Sequence, residues 1–553
     1  MQGILQIGLQ PQNYVKQEIG MRFAVLVSLC AVEPTKRQNY INRERKNLMK
    51  RILCLLLAAF MLLSLVACGS TVDDPVVTGT KENETVTEQV TDDPNYICDL
   101  PSDLDYGGET VGILYINLFN KGAELVSEEL GLGVVSDAVF ERNLLVEEQL
   151  GITYEYYPET IVTRVAEAQS LDIQSGLGDY DIVVNGTYLA VQPSLEGKYI
   201  NLSDLEYIDT SKHYWTQGYN DMVTFTNDNM QFLASGPMAI SMFRFMYLTL
   251  YNKTLLESYQ IPDLYDTVTN GEWTMDYQYS IIKDHYVDKD GDSKSSTGDF
   301  FGFITDSIIL MDPYMVSCDV AMIVKDPDTR EMQYNAGAIS KLSDVVDKVQ
   351  RLYNDESTYV YTPSDNGYDT VTTSHMMDHF AANNTMMATT LFLVMEGNYE
   401  SLADMSYGIA PIPKFDTNQK EYRSYVQDQV SSFGISSVVS DPERQEMLAA
   451  VLEAMAYHSY NLVRPAYYEV TLSERYMQDP QSNEILKLIF ASLQFDFSSS
   501  CSNIIPTLVI RDRLRPILIG ESNTVSSATR SWERQVQKAL DKYNDSLAEL
   551  VSN

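Results

Sequence analysis

Between Thr110 and Val184, short apolar runs alternate with helical stretches, and this order dictates the fold class. Gly107-Gly108 precedes Thr110-Val111-Gly112-Ile113-Leu114-Tyr115-Ile116, which reads as a buried strand. Ser136-Asp137 opens a helix with Val139, Phe140, Asn143, Leu144, Val146 and Leu150 on one face, and Gly151 ends it. Ile152-Thr153-Tyr154-Glu155-Tyr156 is the next strand and residues 160–175 the next helix. Tyr180-Asp181-Ile182-Val183-Val184, bounded by Gly178 and Asn185-Gly186, is a third strand. A β-α-β-α-β order implies an α/β fold with a parallel sheet covered by helices. With 553 residues, the chain has the length for two or more domains or lobes.

Met49-Lys50-Arg51, the apolar run Ile52–Leu63 and Ser64-Leu65-Val66-Ala67-Cys68-Gly69 have the order of a secretory signal peptide. The run is shorter than the ~20 residues a spanning helix needs. Leu65-Val66-Ala67-Cys68 resembles a bacterial lipobox, which implies cleavage before Cys68 and lipidation of its sulfur. Because such a leader belongs at a chain start, Met49 is the expected start and residues 1–48 an extension arising from gene calling. From Cys68 to about residue 95 the chain is acidic, Thr-rich and aperiodic, as a solvated tether would be. Two acyl chains give a stable membrane anchor, so the body is expected on the extracellular face of the cell membrane.

Acidity excludes other classes. With 39 Lys+Arg against 77 Asp+Glu the net charge is −38, which repels nucleic acid. Cleavage before Cys68 would leave 30 basic and 74 acidic residues, a surface that stays soluble and off anionic lipid. The 37 Tyr and 18 Phe supply too much core material for a disordered acidic chain. Six Cys do not make a disulfide scaffold.

Further along, Thr224-Phe225 and Gln231-Phe232-Leu233 flank a hairpin turn at Asn227-Asp228-Asn229. Phe243 to Tyr251 reads as a central strand. Tyr407-Gly408-Ile409-Ala410-Pro411-Ile412-Pro413 reads as a strand at an edge or crossing point. Ser440-Asp441-Pro442-Glu443 opens a helix, and Trp532, Val536, Ala539, Leu540, Tyr543 and Leu547 stripe a final one.

Asp137-Ala138-Val139-Phe140-Glu141-Arg142-Asn143, Tyr180–Val184, Leu250-Tyr251-Asn252-Lys253, Gly271-Glu272-Trp273-Thr274, Tyr407–Lys414, and Ser440–Glu443 with Glu453-Ala454-Met455-Ala456-Tyr457 form an ordered set of segments. Together they resemble the extracellular solute-binding lipoproteins of bacterial ABC importers, of the family 1 type similar to maltose-binding protein. The resemblance spans about residues 104–553. It implies a two-lobed periplasmic-binding-protein-like (type II) fold with a hinge between interleaved lobes, lobe one at 104–240 and 405–458, lobe two at 241–404 and 459–553. It also implies a monomer that binds a small polar ligand, a carbohydrate or oligosaccharide, in the interlobe cleft, and delivers it to ABC importer permease subunits. No enzymatic role is expected. The rival readings are a surface glycan hydrolase and a sensory receptor of the same fold.

Within that fold, Asn185, Gly186, Thr187 and Tyr188 would face the cleft, where amides and hydroxyls suit sugar hydroxyls; Asn-Gly also reads simply as a turn. Trp215 is the expected sugar platform among three tryptophans, Trp273 and Trp532 being core. Arg244, Gln427 and Gln429 are further polar candidates, with an interlobe salt bridge the alternative for Arg244. No cofactor is required. Asp288, Asp290 and Asp292, with Asp299, suit a structural Ca²⁺, although Gly291 and Asp299 depart from the EF-hand pattern and an acidic solvated loop is the alternative. His375 and His379 have zinc-peptidase spacing, but Met376 stands where the general base would be.

Overall fold

The computed structural model describes residues 98, 100–226, 230–362, 370–468, 479–501 and 510–552. The leader, the lipidation site Cys68, the tether, the choice between Met1 and Met49, and the turn Asn227-Asp228-Asn229 lie outside them.

The first sheet has four strands in the order Ser431–Ile435, Ile182–Gly186, Glu109–Ile116 and Ile152–Glu159. The last three are mutually parallel, as the alternation predicts, while Ser431–Ile435 runs antiparallel beside Ile182–Gly186. Gly112 is required at the centre: a Cβ there would lie 2.2 Å from the Asp179 carbonyl oxygen. The close approach lets Asp181 accept from the Gly112 amide at 2.8 Å. Asp181 also takes Nε and Nη2 of Arg444 at 2.9 and 2.8 Å, clamping the helix Pro442–His458 to the sheet. That helix is capped by Asp441, whose side chain accepts from the Glu443 amide.

The helix expected from Ser136 begins at Val134, because Asp137 accepts from the amides of Gly131 and Leu132 and draws the preceding turn in. Its buried face also differs: Leu144 is exposed, and Arg142 is buried instead. Arg142 is accommodated because it donates to the Glu124 carbonyl and to Ser459 Oγ.

The second sheet has five strands, ordered Thr358–Tyr361, Phe301–Asp306, Thr385–Leu391, Tyr247–Asn252 and Tyr407–Ala410. Only Tyr247–Asn252 opposes the others. It is buried throughout, but begins later than the apolar run predicts, since Ser241–Arg244 forms a helical turn. Tyr407–Ala410 is the edge strand of this second sheet. The reason is local: Gly408 lies against the Tyr251 ring, leaving no room for a side chain, and Trp273 Nε1 donates to the Pro411 carbonyl at 2.7 Å.

In each sheet the reversed strand is the one that follows a crossing. The chain enters Tyr247–Asn252 and Ser431–Ile435 from the end where the parallel strands finish, so the carboxyl ends of both sheets lie toward the crossing segments. The final helix Val525–Ser552 buries Trp532, Val536, Leu540, Tyr543 and Leu547 as striped. Among the described residues no helix is long and apolar enough to cross a membrane. Cys98, Cys318 and Cys501 are buried.

Candidate ligand-binding cleft

At the carboxyl end of Ile182–Gly186 the chain passes directly into the helix Thr187–Leu195. Asn185 and Thr187 are buried. Asn185 Oδ1 accepts from the Gly186 amide, and the Thr187 hydroxyl donates to the Val430 carbonyl at 3.0 Å. These two expected contacts therefore shape the loop from within. Tyr188 and Gln429 are half-buried and hydrogen-bonded to each other, packed where a Cβ on Gly186 would stand 3.2 and 3.3 Å from them. Burial raises the Tyr188 pKa, against the Gln429 hydrogen bond and the charge of Arg511.

Beside them lies an ion-pair array that the sequence reading did not find. Asp428, between the two glutamines, is buried and bonded to Arg511; Arg515 holds buried Asp312 through Nε at 2.8 Å and a second bond from Nη2. Arg511 and Arg515 project from one face of the helix Ile510–Leu518 because they are four apart. That i, i+4 arginine spacing was the available signal. Burial opposes the charge on Arg515, yet the bonds to Asp312 outweigh it and raise its pKa. Asp306, at the end of its strand, accepts three amides at 2.9 Å on Oδ1, while Oδ2 has no partner among the described residues. Burial pushes its carboxyl up. Tyr247 stacks on Tyr425 with ring centroids 5.5 Å apart.

Arg244 joins three segments. Its Nε donates to Glu396 at 2.7 Å, on the second lobe's helix Phe392–Gly397, and its Nη1 donates to the Phe119 carbonyl at 2.8 Å, beyond the first lobe's central strand. The salt bridge to Glu396 stays within 241–404, and the contact toward the first sheet is the hydrogen bond to the Phe119 carbonyl. Phe119 has a left-handed φ of 56° and is 36% exposed, with its ring edge-to-face to Phe245 at 5.9 Å. A bulky residue in that region is uncommon and is strained. Gln427 donates its backbone amide to the Phe245 carbonyl, and its side-chain Oε1 is buried without a partner among the described residues.

Trp215 stands apart from this group. It is 3% exposed, its indole Nε1 donates to Glu453 at 2.9 Å, and it lines a separate cavity of about 500 Å³ with Tyr214, Phe243, Tyr460, Tyr468 and Phe490. His379 is buried with Nδ1 3.0 Å from the Tyr361 hydroxyl and Nε2 3.1 Å from the Asp299 carbonyl, whereas His375 is exposed. The pair does not share a site.

Asp288, Asp290 and Asp292 converge, with one oxygen from each within 4.8 Å of the others. Asp299 stands outside this trio, accepting from the amides of Lys289 and Ser296. The Asp292 amide lowers the Asp290 pKa, but burial and the surrounding carboxylates raise it overall. Oxygen donors at this spacing are of the kind a hard cation takes.

Solved structures similar to this chain include the galacto-N-biose-/lacto-N-biose I-binding protein of the ABC transporter from Bifidobacterium longum, in complex with lacto-N-biose. It is 10% identical, with TM-score 0.50, covering 79% of this chain and 98% of that one. The fold is that of the two-lobed, type II solute-binding proteins. Also similar are a cyclo/maltodextrin-binding protein with maltotetraose (13% identity, TM-score 0.49, covering 78% and 98%) and the maltose/maltodextrin-binding domain MalE from Bdellovibrio bacteriovorus with maltotriose (14%, 0.46, 78% and 99%). No protein-family profile and no curated protein matches the chain. At these identities the likeness is one of fold, and it meets the resemblance read from the sequence at that level.

Proposed function

We propose that this chain is an extracellular, lipid-anchored receptor that captures a small polar ligand, a carbohydrate or oligosaccharide, between its lobes and delivers it to an ABC importer. The observation that carries this reading is the topology of the two sheets, each entered after a crossing at the carboxyl end of its parallel strands. Their carboxyl ends converge on the crossing segments, where Tyr188, Gln429, Arg244 and the Asp428–Arg511 pair gather. Ligands of open α/β sheets bind outside strand carboxyl ends. The sugar-binding ABC proteins of the same fold support the ligand class. The anchor rests on the Leu65–Cys68 motif.

Binding calorimetry with neutral and acidic oligosaccharides and with peptides tests this reading. Saturable binding of an oligosaccharide without its cleavage is the expected result; binding of peptides alone removes the carbohydrate assignment. A Ca²⁺ ion held by Asp288, Asp290 and Asp292 is part of the proposal as a structural element. A chelator should then lower the melting temperature, and an unchanged one removes the metal.

A further inference from the structure

The helical turn Ser241–Arg244 sends Phe243 to the cavity of about 500 Å³ that Trp215 also lines. Its walls are aromatic rings from separate chain segments. Phe243 packs edge-to-face on Phe490 at 5.1 Å, and Phe490 on Tyr468 at 4.7 Å, with interplanar angles of 68° and 76°. Phe243 and Trp215 are buried, while Tyr460, Tyr468, Phe490 and Phe495 are half-buried around the space. The charged lining is cationic. Arg464 is exposed, stands over the Tyr460 ring at 4.7 Å, and forms no hydrogen bond or ion pair among the described residues. Lys487 lines the same cavity and pairs with Glu484 at 2.9 Å. No Asp or Glu lines it, in a chain whose acidic residues outnumber the basic ones 77 to 39. Glu453 is not among the lining residues; one of its oxygens accepts from the Tyr214 hydroxyl and the other from Trp215 Nε1. By contrast, the cavity at Ser203 and Gln217 carries Asp209 and Asp221, and the one at Gln419 carries Asp319, Asp416 and Glu421.

A concave, aromatic space with a few converging polar groups is the usual form of a small-molecule site. Rings set nearly perpendicular to one another accept a further flat ring by face on one wall and by edge on the next. A guanidinium stacked on a phenol ring keeps its fork of donors free for a carboxylate. From this we infer that the cavity is a second ligand site, separate from the strand carboxyl ends, and that it binds an aromatic carboxylate. The ring lies between the aromatic walls and the carboxylate meets Arg464. A neutral sugar makes no use of the charge, and an acyl chain fills the space without matching the ring edges. The inference goes beyond the receptor reading and uses none of its cleft residues.

Calorimetry of the natural chain, Arg464→Gln and Arg534→Gln, each with ferulate, its neutral methyl ester and decanoate, tests this. Ferulate should bind the natural chain saturably and about tenfold more tightly than the ester. Arg464→Gln should remove that preference, weakening ferulate by about tenfold and leaving the ester unchanged. Arg534→Gln takes the same charge from an exposed position on the final helix and should change neither. Absence of ferulate binding at millimolar concentration overturns the inference, as does equal affinity for acid and ester, or binding of decanoate alone. A ferulate affinity lowered equally by both substitutions reports attraction to net charge rather than a built site, and overturns it too. None of these outcomes alters the reading of the cleft.

Discussion

The contribution of Lys121 to the stability of the unliganded protein should become more favourable as pH rises above neutrality. Burial, partly offset by the charge of Glu124 and aggravated by that of Arg244, brings its pKa down from 10.5 to about 8. Below about 8 the folded chain holds a charged, buried ammonium. Between about 8 and 10.5 this lysine holds more proton in the unfolded chain than in the folded one, so its contribution to stability climbs with pH through that window. At ~1.4 kcal/mol per pH unit, the full penalty is about 3 kcal/mol. Lys121→Met keeps most of the apolar stem and removes the charge, so it should stabilise at pH 7 by that amount less the lost ring contact, leaving roughly 1–3 kcal/mol. Urea titrations of both proteins from pH 7 to 10 read this directly. Lys325, whose pKa burial also lowers to about 8, is common to both and cancels in the difference. The gap between the two curves should narrow as pH rises. A gap independent of pH, or a variant less stable at pH 7, would refute the reasoning.

Other substitutions probe the frame around the cleft. Arg515→Met leaves Asp312, 1% exposed, as an unpaired buried carboxylate and should cost about 3–5 kcal/mol by urea titration. Gly112→Ala forces a Cβ to within 2.2 Å of the Asp179 carbonyl oxygen, and about 2 kcal/mol of destabilisation should follow in the same assay. Glu453→Ala removes the acceptor shared by the Tyr214 hydroxyl and Trp215 Nε1; a loss of about 3 kcal/mol with a shift in tryptophan emission is expected.

Much of the first lobe was legible because apolar runs and helix ends are local signals. Strands at 109–116, 152–159 and 182–186 needed nothing beyond periodicity and glycine punctuation. Tyr188 and Gln429, singled out from two separate segments, are hydrogen-bonded to each other in the fold. What failed to show depends on partners distant in sequence. The bond from the Trp215 indole to Glu453 spans 238 residues and has no local signal. Lys121 and Phe119 sit in an aperiodic segment, and their surroundings come from Phe245 on the crossing. Leu144 fits the helical stripe, but Arg142 takes the buried position because carbonyl and hydroxyl acceptors from other segments converge on it. The prolines after Tyr407–Ala410 mark an edge or crossing without saying to which sheet that strand belongs.

The central claim is capture by lobe closure. Spin labels at Leu171 on the first lobe and Tyr259 on the second, both exposed, would report the distance between lobes. The account predicts that an oligosaccharide which binds in calorimetry shifts that distance to a single narrow population, and is recovered intact. An unchanged distance at saturation, or release of cleaved sugar, would contradict it.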